Sequence, residues 1–347
     1  MLDVLPKMAR QIRLSDGRVL AYAEHGHPSG EPVFFFHGTP GSRLFHHPDR
    51  SIATSLSARI ITIDRPGFGF SDFKPGRTLL DWPEDVVELA NALHIDRFAI
   101  AGISGGGPYV AACTLKIPHR LTGAAMISSL GPLVGDTTKR MAWHIRLLLG
   151  LANDSYTLAK ISWWLANLVR SQNDEWLCNL EAFCLPQLER ELFKNPEVRK
   201  MLVEDYAEAL RHGGNGIAWD MALLARPWGF RLENIATKVC LYHGEEDVRA
   251  PAAMGRHLAS SIPNSRHISF SGEGHDVFYN HWKEILATLL TYKITQADIS
   301  RKTGNVKRNP LRLQRHAPAV RRRYSKASLQ SDDKESAECV SNAGETG

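Results

Sequence analysis

Ala101-Gly102-Ile103-Ser104-Gly105-Gly106-Gly107-Pro108 decides the reading of this 347-residue chain. It follows the apolar run Phe98–Ala101, which has strand character, and leads into Tyr109–Lys116, which has helical character. Three glycine-rich chemistries compete for such a stretch. A dinucleotide fingerprint needs glycine at i, i+2 and i+5, but a run starting at Gly102 meets Ser104 and one starting at Gly105 meets Val110. A phosphate loop needs Gly-Lys-Ser/Thr, which this stretch lacks. The pattern that remains is Gly102-x-Ser104-x-Gly106, the nucleophile elbow, in which a serine occupies a strained strand-to-helix turn. Its flanking glycines are required because side chains there would collide with the neighbouring strand and helix.

A serine hydroxyl is a poor nucleophile at neutral pH, so it needs a base and a group that orients the base. Around an elbow of this kind the chain order is serine, acid, histidine. The apolar run Val239–Tyr242 is followed by His243-Gly244-Glu245-Glu246-Asp247-Val248-Arg249-Ala250-Pro251, and His267–Phe270 by Ser271-Gly272-Glu273-Gly274-His275. Each segment falls just past the carboxyl end of a strand, where open α/β sheets place their ligands. His275 is read as the base and Asp247 as the acid, with Glu246 its rival. Acyl transfer also needs donors aimed at the developing oxyanion. The elbow offers the N–H of Gly105, and the loop Phe36–Arg43 offers a second. Pro40 has no N–H, which leaves the amide of Thr39. The pair His46-His47 has no carboxylate or cysteine at ligand spacing and is not read as a metal site.

Outward from these loops, Gln11–Leu14 and Arg18–Ala23 alternate about Ser15-Asp16-Gly17 and predict an antiparallel hairpin. Val33–Phe36, Ile60–Ile63, Phe98–Ala101, Gly123–Ile127, Val239–Tyr242 and His267–Phe270 read as buried strands, each followed by a helix-length segment. Such alternation predicts an α/β fold with a mostly parallel sheet covered on both faces. It stops between about Leu130 and Arg231, a helical stretch that holds six of the eight tryptophans. The expected division is a core over 1–130 and 232–298, a helical cap over 131–231 and a tail over 299–347. The tryptophans are expected mainly as core of the cap, with some lining a pocket.

The formal charge of +5 belongs to the tail. Residues 301–347 hold 11 Lys+Arg against 5 Asp+Glu, which leaves residues 1–300 with 31 against 32. Only six of those 47 tail residues are Leu, Ile, Val or Phe, too few to bury a core, so disorder is expected there. A near-neutral core offers no basic groove, and the tail's aromatics stop at Tyr324, so nucleic-acid binding is not expected. The five cysteines form no C-x-x-C pair and read as free thiols. The longest apolar stretch, Leu158–Val169, has 12 residues and includes Lys160, short of the ~18 a membrane span needs. Met1–Ile12 carries Asp3, Lys7 and Arg10 and does not read as a secretory signal, so a cytoplasmic protein is expected.

With these motifs placed, the sequence resembles the α/β-hydrolase superfamily, in its capped epoxide-hydrolase-like and prolyl-iminopeptidase-like branch. The resemblance covers roughly residues 11–295. It rests on His37-Gly38-Thr39-Pro40-Gly41, Asp64-Arg65-Pro66-Gly67-Phe68-Gly69-Phe70-Ser71-Asp72, the elbow, the Gly244…Asp247…Pro251 loop and Gly272-Glu273-Gly274-His275. It implies a three-layer α/β-hydrolase fold, an eight-stranded and mostly parallel sheet with a helical cap inserted after the sixth strand, no cofactor, and a triad of Ser104, His275 and Asp247. Ser104 stands where epoxide hydrolases and dehalogenases carry an aspartate nucleophile, which removes support for those chemistries. Gly38-Thr39-Pro40-Gly41 departs from the Gly-Gly-Pro-Gly loop of iminopeptidases, which weakens that activity too. The Arg65–Asp72 turn is structural in many members and receives no catalytic role. The expectation is a serine hydrolase acting on an ester, thioester or activated carbonyl of a small apolar or aromatic substrate. An acyltransferase with the same triad and a catalytically silent binding or scaffold protein are the alternatives.

Overall fold

Every apolar run expected as a strand forms one. A computed structural model describes residues 9–170 and 175–291, so the tail expected over 299–347, with Cys339, lies outside the described residues. The strands are β1 (Arg10–Arg13), β2 (Val19–Gly26), β3 (Glu31–Phe36), β4 (Ala58–Ile63), β5 (Phe98–Ile103), β6 (Leu121–Ile127), β7 (Val239–Gly244) and β8 (Ser265–Phe270). They make one sheet in the order β1-β2-β4-β3-β5-β6-β7-β8. β2 is antiparallel to both its neighbours, and every other pairing is parallel. The opening hairpin turns at Gly17, whose φ of +89° is open to glycine at no steric cost.

Burial on both faces follows from the strands' two-residue period. In β3, Phe34 and Phe36 enter one apolar cluster while Val33 and Phe35 enter another on the opposite face. Helices cover both sides. α1 (Ser51–Ser55) packs its Ala53 into the Phe35 cluster, and α2 (Trp82–Ala92) and α3 (Gly107–Lys116) pack Val86, Leu89 and Val110 into the Phe36 cluster. Each fully buried side chain of this size contributes about 1.5–3 kcal/mol.

Between β6 and β7 the described residues form helices and no strand: α4 (Trp143–Asp154), α5 (Tyr156–Arg170), α6 (Trp176–Cys184), α7 (Gln187–Arg190), α8 (Pro196–Ala209) and α9 (Asn215–Ala225). The start of α8 is written in its sequence. Asn195 accepts from the amides of Glu197 (2.9 Å) and Val198 (3.3 Å), and Pro196 occupies the first turn. After β7 come α10 (Ala252–Ser261) and α11 (Val277–Thr291), whose Leu258 and Trp282 close the two faces.

The tryptophans divide more evenly than expected. Trp163 and Trp228 are buried and Trp176 and Trp219 half-buried, but Trp143 and Trp164 are 69% and 54% exposed. The spacing of α5 explains this: Trp163 shares a face with buried Ala159, and Trp164, one position on, points away from it. Cys113, Cys178, Cys184 and Cys240 are free thiols. Among the described residues no helix is long and apolar enough to cross a membrane.

Candidate active site

β5 delivers Ser104 into the tight turn that the elbow motif requires. The serine has φ +54°, in the left-handed region that residues with a β-carbon rarely adopt. The flanking glycines make room for it. A Cβ on Gly102 would lie 2.6 Å from the carbonyl oxygen of Gly106, and one on Gly106 would lie 2.2 Å from that of Phe36 at the end of β3. The turn therefore wedges between β3 and α3, the collision foreseen from the motif.

Two further loops meet at the carboxyl ends of β7 and β8. A Cβ on Gly244 would overlap the carbonyl oxygens of Gly274 (2.1 Å) and Glu273 (2.4 Å), so this glycine lets the two loops touch. The amide of Glu246 donates to Glu273 O at 2.8 Å and stitches them together. Asp247 and His275 are brought into contact by this stitching. His275 Nδ1–H donates to Asp247 Oδ2 at 2.8 Å, which leaves Nε2 as the basic nitrogen of the neutral ring. Asp247 Oδ1 accepts the amides of Arg249 and Ala250, both at 2.8 Å, and Ser128 Oγ–H donates to the His275 carbonyl at 3.0 Å. Burial alone would raise the Asp247 carboxyl, but the His275 imidazole and hydrogen bonds from His243 and His275 hold it well below its ordinary value. Burial opposes protonation of His275, and the Asp247 charge and hydrogen bond outweigh it, so its pKa is raised. Glu246, the rival acid, is on the surface, paired with Arg140 at 2.8 Å.

Ser104 and His275 border one cavity of about 270 Å³, together with Gly38 and Thr39. Thr39 and Gly105 adjoin: a Cβ on Gly105 would stand 2.5 Å from Thr39 Oγ1. Among the described residues no protein acceptor takes the N–H of Thr39. The rest of the wall comes largely from the helices between β6 and β7, through Leu148, Trp163, Trp176, Leu180, Met221 and Leu224. His46 and His47 are occupied by carbonyls, of Leu44 (2.6 Å) and Tyr279 (3.0 Å), and no metal-holding cluster occurs among the described residues.

Several buried charges around the site escape the sequence reading. Asp220 on α9 accepts from Thr39 Oγ1 (2.7 Å), Arg65 Nη2 (2.7 Å), Arg77 Nη2 (2.6 Å) and the Tyr109 hydroxyl. Burial would raise its carboxyl, and the two guanidiniums hold it far below the usual range. Arg249, which lines the cavity, donates from Nε to Glu189 of α7 (2.8 Å) and from Nη1 to Glu181 of α6 (2.9 Å). Glu189 also lies against Gly274, whose added Cβ would meet its Cγ at 2.8 Å. The signal for Asp220 was present as a lone carboxylate in the apolar run Ile217–Ala225. Its partners, 111 to 181 positions away in the chain, could not be paired with it from sequence.

Comparison with known proteins agrees with this architecture. The model of the alpha/beta hydrolase fold family matches residues 31–281, and the chain belongs to that family of hydrolases. It is similar to a pimeloyl-[acyl-carrier protein] methyl ester esterase of Legionella pneumophila, 24% identical over 74% of this chain and 92% of the relative. It is also similar to a 2-hydroxymuconate semialdehyde hydrolase of Pseudomonas putida, 25% identical over 84% of this chain and 96% of the relative. Among solved structures, a hydrolase from Pseudomonas aeruginosa superposes with a TM-score of 0.60 at 19% identity, covering 82% of this chain and 98% of that one. The enol-lactonase from Burkholderia xenovorans gives 0.59 at 16% identity, covering 81% and 100%. At such identities the structural likeness speaks to the fold.

Proposed function

We propose that the protein is a serine hydrolase that cleaves an ester or thioester through an acyl-enzyme on Ser104. His275 takes the Ser104 proton as the hydroxyl attacks the carbonyl carbon, and the amides of Gly105 and Thr39 hold the oxygen that becomes negative. Asp247 steadies the imidazolium. His275 then gives its proton to the leaving alcohol or thiol, and a water activated by the same ring releases the acyl group. The observation that carries this reading is the convergence on one cavity of Ser104, Thr39 and His275, the last backed by Asp247 at 2.8 Å.

The helices over 131–231 act as a cap in this reading. Their contribution to the wall is mostly apolar, which favours an apolar or aromatic acyl or alcohol portion whose burial positions the carbonyl. The named relative that is a methyl ester esterase supports ester hydrolysis as the reaction type. The test is covalent labelling by a fluorophosphonate probe. Ser104→Ala is expected to abolish it with an unchanged circular-dichroism spectrum, and undiminished labelling of that variant overturns the assignment.

A further inference from the structure

We propose that Arg65 is a positioning residue of the oxyanion hole, acting through the Gly38–Thr39 peptide and held in place by Asp220 from α9; the inference rests on the reading of Thr39 as an oxyanion donor. The Arg65 guanidinium donates from Nη1 to His37 O at 2.5 Å and from Nη2 to Gly38 O and Thr39 Oγ1, both at 2.8 Å. His37 Nδ1–H donates to the same Gly38 oxygen at 2.8 Å. The carbonyl of Gly38 and the N–H of Thr39 are the two ends of one planar amide. Two donors on its oxygen, one of them cationic, draw electron density from the nitrogen. The N–H of Thr39 becomes a stronger donor, and the direction of its peptide is fixed.

Charge bookkeeping in the cluster points the same way. Arg65 and Arg77 face one carboxylate, Asp220, and the side chains of all three are at most 2% exposed. Tyr109 keeps its proton, since burial, then the Asp220 charge, push its pKa up against the two arginines. The group thus carries one positive charge more than it neutralises, in a place where an uncompensated charge is costly. Behind an oxyanion loop that excess has a use: a negative charge appears on the substrate oxygen only on the way to the tetrahedral intermediate, so the field favours the transition state over the ground state. Asp220 makes the arrangement stable. It bonds both guanidiniums and the Thr39 hydroxyl, which ties α9 to the loop.

A purely structural Arg65 would affect folding and substrate binding without distinguishing ground state from transition state. A boronic acid makes the distinction, because Ser104 Oγ adds to boron, its proton passes to His275, and the resulting tetrahedral boronate, negatively charged as a whole, places one of its oxygens in the hole. Arg65→Met leaves Asp220 paired with Arg77 at 2.6 Å, so the cluster becomes neutral without an orphaned carboxylate. Expected for Arg65→Met are a kcat lower by roughly 10–100-fold, less than the ~10²–10³ for deleting a donor outright, a KM within about threefold, and a boronate affinity lower by the same factor as kcat. Arg65→Lys keeps the charge but loses the planar fork, and is expected to fall about midway on a logarithmic scale. If Arg65→Met fails to fold, Arg65→Lys carries the test alone. A kcat within about threefold of wild type for Arg65→Met, a kcat equal to wild type for Arg65→Lys, or a boronate affinity that does not fall with kcat overturns the proposal. Failure of the wild type to react with fluorophosphonate would instead overturn the serine-hydrolase reading itself.

Discussion

Asp205 on α8 receives both the amide and the hydroxyl of Ser42 on a single oxygen, at 2.8 and 2.7 Å. Burial raises the Asp205 pKa to about 8 against the lowering effect of those bonds, with Asp64 and Glu208 adding to the rise. The folded protein therefore binds this proton more tightly than the unfolded chain, whose carboxyl titrates near 3.8. Stability from this group is complete below that value and is lost as pH climbs through about 8. Asn keeps an acceptor for both Ser42 donors and cannot ionise. Asp205→Asn is expected to flatten the decline of melting temperature between pH 5 and 8, measured by thermal unfolding across that range; an unchanged pH dependence would count against the assignment.

In the proposed mechanism His275 must be neutral to act as a base, and its raised pKa sets where that happens. The acid limb of kcat/KM is expected above the ordinary imidazole value of 6.5. Asp247→Asn removes the group that raises it, so the limb should move down while kcat falls by about 10⁴, as expected when the ring loses its orienting carboxylate. A pH–rate series on both proteins checks the two effects together.

Two glycine-to-alanine changes should have opposite signs. Gly106→Ala drives a Cβ to 2.2 Å from Phe36 O and is expected to cost about 3 kcal/mol or prevent folding. Gly150 lies on the exposed side of α4 with nothing within 4 Å of an added Cβ, so Gly150→Ala should stabilise by about 0.5–1 kcal/mol. Urea titration of both variants gives the comparison.

Glu189 is 1% exposed and binds Arg249 two residues beyond Asp247. Glu189→Ala leaves that guanidinium with Glu181 as its one carboxylate partner among those bonds and opens space beside Gly274. A loss of about 3 kcal/mol is expected, as when one partner of a buried pair is removed. Because the Asp247 and His275 loops share this support, kcat should fall with it, read from ester turnover well below the variant's melting temperature.

The sheet was legible because its signal is local. Phe34 and Phe36 face one cluster and Val33 and Phe35 the other, and such apolar runs between glycine-bearing loops announce a strand without knowledge of its neighbours. Ser104, Asp247 and His275 were legible as candidates because chain order in the family assigns them, and Thr39 because proline cannot donate. Asp220, Glu181 and Glu189 were not, since a carboxylate on a helix reads as solvent-facing unless its distant arginine is known. The same limit hid Arg65. Its motif was read as a turn, and only the packing of β3, β4 and α9 around one guanidinium gives it partners. Trp143 and Trp164 mislead in the opposite direction, because large apolar side chains suggest core until the face of the helix is known.

The carboxylates of α6 to α9 reach down to the loops that carry Thr39, Ser42 and Arg249. This has a consequence for protein engineering. If the helices between β6 and β7 are the cap proposed above, they are tempting to treat as an interchangeable module, exchanged between relatives to change substrate preference. Here a wholesale exchange would remove Asp205, Asp220, Glu181 and Glu189 and leave Arg65, Arg77 and Arg249 buried against foreign partners. Grafts that keep those four positions and vary only the apolar wall of α4 and α5 are the chimaeras expected to retain a working site.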